Sequence, residues 1–448
     1  MGSAPASAPP LHACTLNNGL EVFIQELHTA PLASVWCWYR VGSGDEVPGF
    51  TGVSHWVEHM NFKGTLHIPG DQAKRMIESY GGAWNGYTWI DQTAYVETAA
   101  TEALGEMLFI EAERMAHCLY DPAETEAERT VVISELQGGE NDPEQVLETE
   151  VTAAAFKAHP YRHPTIGWLP DLERMSRDDL YAHYRRFYVP NNAALVIVGD
   201  VDAADVLGEV KKMFGDIPAG RPRPPRPVRE PDQAGEHRVL VARPGTTSYL
   251  KLVFRAPAAN EPDFVPLLLL DAVLAGAKGL NLWSSFRSPP PQRRSRLYRA
   301  LVEQGLATAV SGLLLPTADP FLYTISCTAR AGVALAELEG AALAELDRVR
   351  RDGVEEAELE RARNQLRARL IFDQDSVTNV AHQIGYFQTI ADAGLFRRIS
   401  EGLSSMPAAA VSEVASRRLL SRGRTVGWFE PQGETAGPPR GRPGANGR

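Results

Sequence analysis

Residues 52–59 read Gly-Val-Ser-His-Trp-Val-Glu-His, and this stretch decides how the rest of the chain is interpreted. In an α-helix, positions four apart lie on one face, so His55 and His59 can offer ring nitrogens to a single metal ion. Glu58 projects from nearly the same face, where a general base for a water molecule at the metal should lie. The stretch therefore predicts a peptide-cleaving zinc site of the inverted H-x-x-E-H type.

The flanking residues predict the limits of this helix. Pro48 and Gly49 interrupt the preceding chain, and the hydroxyl of Thr51 is placed to cap the first turn. We expect the helix to end near Lys63 and Gly64.

A catalytic zinc site usually takes three protein ligands, so a third one is needed. Glu135 is a candidate because it closes an amphipathic stretch, residues 128–135, that follows Pro122. Glu128 lies two helical turns before it and shares its face. From the spacing alone, solvated carboxylates on a surface helix explain both residues equally well.

A larger set of motifs resembles the M16 peptidase family, the group of pitrilysin, insulin-degrading enzyme and mitochondrial processing peptidase, and specifically its shorter two-domain M16B branch. Glu135 follows His59 by 76 residues, which is the separation this family uses for its third zinc ligand. The matching segments are residues 55–65, 81–88, 91–95, 128–135, 160–167, 188–192 and 198–200.

The resemblance implies a role for each residue of the motif. His55, His59 and Glu135 would bind one Zn²⁺ per chain, and Glu58 would activate water. The expected activity is that of a zinc-dependent endopeptidase acting on short or unfolded peptides. The alternative is a non-catalytic assembly subunit, like the core proteins of respiratory complexes that share the fold; the intact motif favours the enzyme.

Three further residues are interpreted from the same resemblance. Glu128 corresponds to a family carboxylate near the ligands, which would orient one of them. Asn85 matches an active-site asparagine that could contact the substrate backbone, although holding the turn after Gly81 and Gly82 explains it nearly as well. His163 is interpreted as structural, since no partner spacing recruits it to a metal.

Length and composition favour two domains. The chain has 448 residues, of which 44% are hydrophobic, more than one ordinary domain requires. Residues 218–235 are rich in Pro and Arg and predict an exposed linker between a zinc-binding domain, residues 1–217, and a second domain, residues 236–431. The tail, residues 432–448, has a composition that predicts disorder.

The two predicted domains repeat one pattern. Each opens with two strand-like runs, continues through long helical stretches and ends in a short apolar strand. We therefore expect an α+β fold of two duplicated units, each an antiparallel-rich sheet with helices packed on it; the resemblance implies that they face each other across a chamber. The predicted strands are residues 20–27, 33–40, 194–198, 238–243, 249–255 and 425–429, with a helix at 264–275.

The second half contains no histidine and carboxylate cluster, which indicates a chamber wall rather than a second catalytic centre. Active relatives carry an arginine and a tyrosine after a Ser-Arg-Leu sequence, whereas residues 295–308 have Val302 and Thr308 at those places. A missing oxyanion donor costs on the order of a hundredfold or more in rate. We therefore expect a partner M16B subunit to supply both residues in a heterodimer, with a homodimer as the alternative.

Two observations in this region leave other interpretations open. Arg296, Tyr298 or Arg299 could replace the missing residues within one chain. Residues 275–294 are longer than the glycine turn expected here and rich in Pro and Arg. They could contact substrate or a partner, although a tolerated insertion explains them more simply.

Composition also argues against several classes of protein. A formal charge of −11 disfavours nucleic-acid binding, and the absence of an apolar run of 18 residues disfavours a membrane span. No signal peptide is visible, which leaves a cytoplasmic location or a periplasmic one with the signal removed. The cysteines form no C-x-x-C pair and indicate neither a second metal site nor disulfides: Cys14, Cys37, Cys118 and Cys327.

Overall fold

The computed structural model describes residues 10–281, 283 and 292–433. Of the predicted tail and insertion, residues 282, 284–291 and 434–448 lie outside this description. In chain order the strands are β1 (Leu11–Thr15), β2 (Glu21–Glu26), β3 (Leu32–Tyr39), β4 (Ala83–Thr88), β5 (Thr93–Ala100), β6 (Ala193–Gly199), β7 (His237–Pro244), β8 (Tyr249–Arg255), β9 (Ala307–Leu314), β10 (Leu322–Ala329) and β11 (Arg424–Gln432).

The helices are numbered in the same way, and no helix within the described ranges is long and apolar enough to cross a lipid bilayer. They are α1 (Val53–Met60), α2 (Gln72–Ser79), α3 (Leu104–His117), α4 (Pro122–Gly139), α5 (Pro143–Ala155), α6 (Leu169–Arg174), α7 (Arg177–Phe187), α8 (Ala203–Phe214), α9 (Phe264–Leu274), α10 (Leu335–Asp352), α11 (Glu356–Phe372), α12 (Val377–Ile390), α13 (Leu395–Ser405) and α14 (Ala408–Arg418).

The two sheets have the same topology. The first has the order β1-β2-β6-β3-β5-β4, and the second has the order β7-β11-β8-β10-β9. In each sheet one pair is parallel, β2 with β6 and β7 with β11, and the other pairs are antiparallel. Apart from the additional β1, every strand of the first sheet has a counterpart in the second. The predicted duplicated α+β fold is confirmed.

The first sheet is buried on both faces because its side chains alternate between two hydrophobic cores. On β3, Trp36 and Trp38 point into a core shared with the second half. Val35, Cys37 and Tyr39 point into a core formed by the helices of the first half. All five side chains are fully buried, so the first sheet needs a cover on each side.

Each half supplies a helix that covers the sheet of the other. Helix α12 packs on β3 and β6, while α5 packs on β7, β8 and β11. Both contacts use a glycine at the closest approach: a Cβ at Gly385 would lie 1.9 Å from Nε1 of Trp38, and one at Gly427 would lie 2.2 Å from a methyl of Val151. Side chains therefore fill the interface between the halves where these two helices pack.

The predicted linker has no helix or strand between α8 and β7, but it is anchored to both halves. The guanidinium of Arg226 is 13% exposed and lies 2.7 Å from a carboxylate oxygen of Asp91 and 3.6 Å from one of Asp319. Glu230 accepts hydrogen bonds from the backbone N–H groups of residues 157–159. The segment is thus fastened to the molecular surface and does not act as a free spacer.

The close contact between α12 and the first sheet predicts that Gly385→Ala destabilises the protein. The new methyl group must displace the buried indole of Trp38, and overpacking of this kind costs about 1–3 kcal/mol. The measurement is the midpoint of denaturant unfolding.

Gly340→Ala is the matched control, since Gly340 lies on α10 and a methyl group added there would meet no neighbouring element within 4 Å. In an exposed helix interior this change stabilises by up to about 1 kcal/mol. If Gly385→Ala raises the midpoint as Gly340→Ala does, the proposed tight contact is wrong.

Candidate metal centre

Helix α1 carries the predicted motif, and a buried carboxylate holds its first turn. The N–H groups of Gly52 and Ser54 each donate to the carboxylate of Glu46 at 2.8 Å, and Nε2 of His163 lies 3.0 Å from the same group. Burial raises the pKa of Glu46. Since α1 ends at Met60, it is shorter than the helix predicted to reach residue 63.

The predicted cap by Thr51 is wrong. Its hydroxyl donates to the carboxylate of Asp171 at 2.6 Å, and the cap position is Gly52, whose φ of 87° lies in the left-handed region. Glu46 performs the capping role from six residues upstream. No local sequence signal marks Glu46 for this role, because the loop that brings it back to α1 depends on tertiary contacts such as that with His163.

The candidate ligands converge on one point. Nε2 of His55 and Nε2 of His59 are 3.3 Å apart, and the carboxylate oxygens of Glu135 lie 3.9 Å from the first nitrogen and 3.6 Å from the second. Ligand atoms around a tetrahedral zinc ion are about 3.3 Å apart, given bonds of roughly 2.0–2.1 Å. Two imidazoles and one carboxylate are also a donor set used by zinc hydrolases. These residues therefore fit a zinc ion.

Glu128 lies beside Nδ1 of His59, where it can determine which ring nitrogen carries the proton. One of its carboxylate oxygens is 2.9 Å from Nδ1 of His59, and the other is 2.5 Å from Nζ of Lys63. A proton held on Nδ1 by this carboxylate leaves Nε2 free to bind a metal. Burial raises the pKa of Glu128, but hydrogen bonds from Lys63 and His59 outweigh this effect and hold the pKa below its ordinary value.

Glu58 faces the same point as the imidazoles. Its carboxylate and the ring nitrogens of His55 and His59 all lie within 4.8 Å of one another. These distances suit Glu58 equally as a metal ligand and as a general base. Its side chain is buried, and burial raises the pKa of Glu58 to about 7. Burial and the adjacent His59 lower the pKa of His55 to about 3. The imidazole of His55 is thus neutral, as metal binding requires.

A cavity of about 290 Å³ opens beside this cluster. One side is formed by β4, the terminal strand of the first sheet, which carries Asn85. The amide oxygen of Asn85 accepts the N–H of Gly86. The lining residues are Glu58, His59, Phe62, Lys63, Trp84, Asn85 and Glu128.

Arg296, one of the residues that could compensate within the second half, is paired with a carboxylate, and Val302 and Thr308 make contacts within the second half. The guanidinium of Arg296 lies 2.5 Å from the carboxylate of Glu358 and also donates to the carbonyl of Gly353. Thr308 donates to the carbonyl of Thr328 on β10, and Val302 packs against the core. Within the described part of the second half, no group of His, Cys, Asp and Glu is arranged for a metal.

Two sequence models of one family match the chain. The model described as Insulinase (Peptidase family M16) matches residues 21–168, and the model described as Peptidase M16 inactive domain matches residues 174–366. The second match begins before β6, although β6 pairs within the first sheet. Together the matches extend into both sheets.

Similar proteins carry peptidase names. An uncharacterized zinc protease of Mycobacterium bovis is 28% identical over 431 residues, which cover 93% of this chain and 92% of the relative. A probable mitochondrial-processing peptidase subunit beta of Arabidopsis thaliana is 25% identical over 423 residues, covering 93% and 77%. The structure of a protease from Helicobacter pylori superimposes with a TM-score of 0.88 at 23% identity, covering 95% of this chain and 100% of that one; this likeness shows the shared fold.

The contact between Glu128 and His59 predicts that Glu128→Gln weakens zinc binding by roughly 10- to 100-fold, the usual cost of losing such a supporting carboxylate. Competition with a chelator of known affinity measures the change. Glu126→Gln is the matched control, because Glu126 is exposed on the same helix and pairs with Arg129 three residues away. Equal zinc affinity in the two variants would show that Glu128 does not support the site.

Proposed function

The chain belongs to the M16 peptidase family, and we propose that it is a zinc-dependent endopeptidase whose centre is built from His55, His59, Glu135 and Glu58. One observation carries the proposal: two imidazoles and two carboxylates lie close together. Two of these groups, Glu58 and His59, line a cavity that is large enough to admit a peptide segment. The shared fold and the zinc protease names of relatives support it.

In this proposal His55, His59 and Glu135 hold the metal. A zinc ion bound there would act as a Lewis acid toward the scissile carbonyl and lower the pKa of water. Glu128 keeps the proton of His59 on Nδ1, so that Nε2 is available. The carboxylate of Glu135 is half-exposed, and Glu58 and His59 line the cavity in which the substrate would lie.

Glu58 moves the proton. As a carboxylate it takes a proton from the attacking water, and as an acid it gives that proton to the nitrogen of the leaving amine, so the peptide bond is replaced by a carboxylic acid and an amine. Burial raises the pKa of Glu58 to about 7 in the metal-free protein. The charge of a zinc ion bound beside it would lower this pKa and favour the carboxylate form that accepts the proton of water.

The substrate proposed is a peptide in extended conformation. Strand β4 pairs with β5 on one side and is the terminal strand of its sheet on the other. An extended peptide can pair with the backbone groups of such an edge. Trp84 and Asn85 of β4 both line the cavity, where they can contact the peptide. Short or unfolded peptides satisfy this requirement, whereas folded domains do not.

The proposal includes a partner subunit that supplies the missing arginine and tyrosine. Arg296 is occupied by Glu358 and Gly353, which argues against compensation by this residue within one chain. Val302 and Thr308 offer no cationic or phenolic group. The Arabidopsis relative is named as one subunit of a processing peptidase, which supports assembly with a second subunit.

If Glu58 is the base, Glu58→Gln should retain the zinc content of the wild type and lose peptide hydrolysis by about 100-fold or more. Metal content by atomic spectroscopy and cleavage of a quenched fluorescent peptide measure the two effects. Glu135→Ala is the contrasting variant, since it should lose the zinc ion of this centre and activity. Loss of zinc in Glu58→Gln, with retention in Glu135→Ala, would reverse the two assignments.

Partner dependence predicts how specific activity varies with concentration. For the zinc-loaded chain alone, a heterodimer requirement gives low activity at every concentration and at least about a hundredfold gain when the partner is added. A homodimer requirement gives activity that rises as the chain is concentrated. High specific activity that is unchanged on dilution would contradict both arrangements.

A further inference from the structure

We propose that His67, Glu113 and His117 form a second binding site for a divalent transition metal, of which Zn²⁺ is the expected occupant. This cluster is the other group in the described chain whose His, Cys, Asp and Glu side chains are arranged for a metal. Glu113 and His117 lie near the C-terminal end of α3, and His67 lies in the loop after α1. Its residues do not line the cavity of the candidate active site, and the proposal is independent of the proposed function.

The spacing of the ligand atoms matches that of a metal site. Nδ1 of His67 lies 2.9 Å and Nε2 of His117 lies 3.8 Å from the same carboxylate oxygen of Glu113. These values bracket the separation of about 3.3 Å expected around tetrahedral zinc. They also resemble the distances of 3.3–3.9 Å among the His55, His59 and Glu135 ligand atoms. Small side-chain adjustments would suffice to hold an ion.

The carboxylate at the centre of the cluster is already oriented. The side chain of Glu113 is 6% exposed, and its second oxygen accepts hydrogen bonds from the hydroxyl of Thr65 at 2.8 Å and from the N–H of His67 at 3.2 Å. The first oxygen therefore faces both imidazoles. Hydrogen bonds to the outer oxygen of a ligating carboxylate are the supporting contacts that metal sites use.

The backbone holds the two imidazoles together before any ion arrives. Glu113 and His117 are four residues apart on α3 and share a face. The loop that carries His67 is tied to the end of this helix, because the N–H of Leu66 donates to the carbonyl of His117 at 3.0 Å and Thr65 forms a β-bridge with Cys118. Little conformational freedom is lost when the site fills.

Solvent access distinguishes this cluster from a buried ion pair. The side chains of His67 and His117 are 57% and 44% exposed, so an ion can enter and water can complete its coordination. Imidazole is a good ligand for Zn²⁺, Cu²⁺ and Ni²⁺, and the carboxylate makes the site more suitable for zinc than for a softer ion. A bound ion would link the loop of residues 64–68 to α3 and stabilise the contact between them.

The stoichiometry of zinc binding tests the proposal. Protein stripped with a chelator is titrated with Zn²⁺ by calorimetry and by equilibrium dialysis. We expect two ions per chain for the wild type, one for His117→Ala, one for His55→Ala, and none for the double variant. His28→Ala should still bind two, because His28 is an exposed imidazole paired with carboxylates of Asp200 and Glu26 but without a second imidazole.

A thermal measurement separates loss of the site from loss of the fold. In the His55→Ala background, added Zn²⁺ should raise the unfolding temperature by occupying the second site. This rise should disappear in His55→Ala with His117→Ala, while the unfolding temperature without zinc stays nearly the same, because the side chain of His117 is half-exposed. One ion per wild-type chain, together with unchanged binding in His117→Ala, would overturn the proposal.

Discussion

The structure depends on the burial of the first sheet on both faces. Strand β3 alternates between two cores, with Trp36 and Trp38 on one side and Val35, Cys37 and Tyr39 on the other. A sheet of this kind cannot be stable with one layer of helices. The second layer comes from α12 in the other half of the chain, and α5 performs the reciprocal role for the second sheet. The duplicated units are therefore two parts of one packed body.

This arrangement also positions the candidate active site. Helix α1 packs with its buried side chains against the core of the first half, so the polar side of the motif faces outward at the edge of the sheet. The neighbouring strand β4 is fixed from the other direction, because the hydroxyl of Tyr87 lies 2.8 Å from Nε2 of His382 on α12. The second half thus contributes to the site indirectly, by holding the strand that forms one side of the cavity.

Sequence reasoning predicted the features that depend on local pattern. The strand-like run of residues 33–40 and the four-residue spacing of His55 and His59 located β3 and the motif helix, with errors of a few residues at their ends. It missed three features. These are the capping of α1 by Glu46, the packing of α5 and α12 on the sheet of the opposite half, and the cluster around Glu113. Each of these joins residues distant in sequence through tertiary contacts that leave no periodic signal. The roles of the motif residues remain predictions.

The exchange of helices has a consequence for dissecting the protein. Composition favours cutting the gene within residues 218–235, yet residues 1–217 alone would expose the indoles of Trp36 and Trp38 to water and leave α5 without the sheet it covers. Exposed apolar surfaces of this kind promote aggregation. The two fragments would have to be produced together, and their reassembly would then report directly on the fit between the halves.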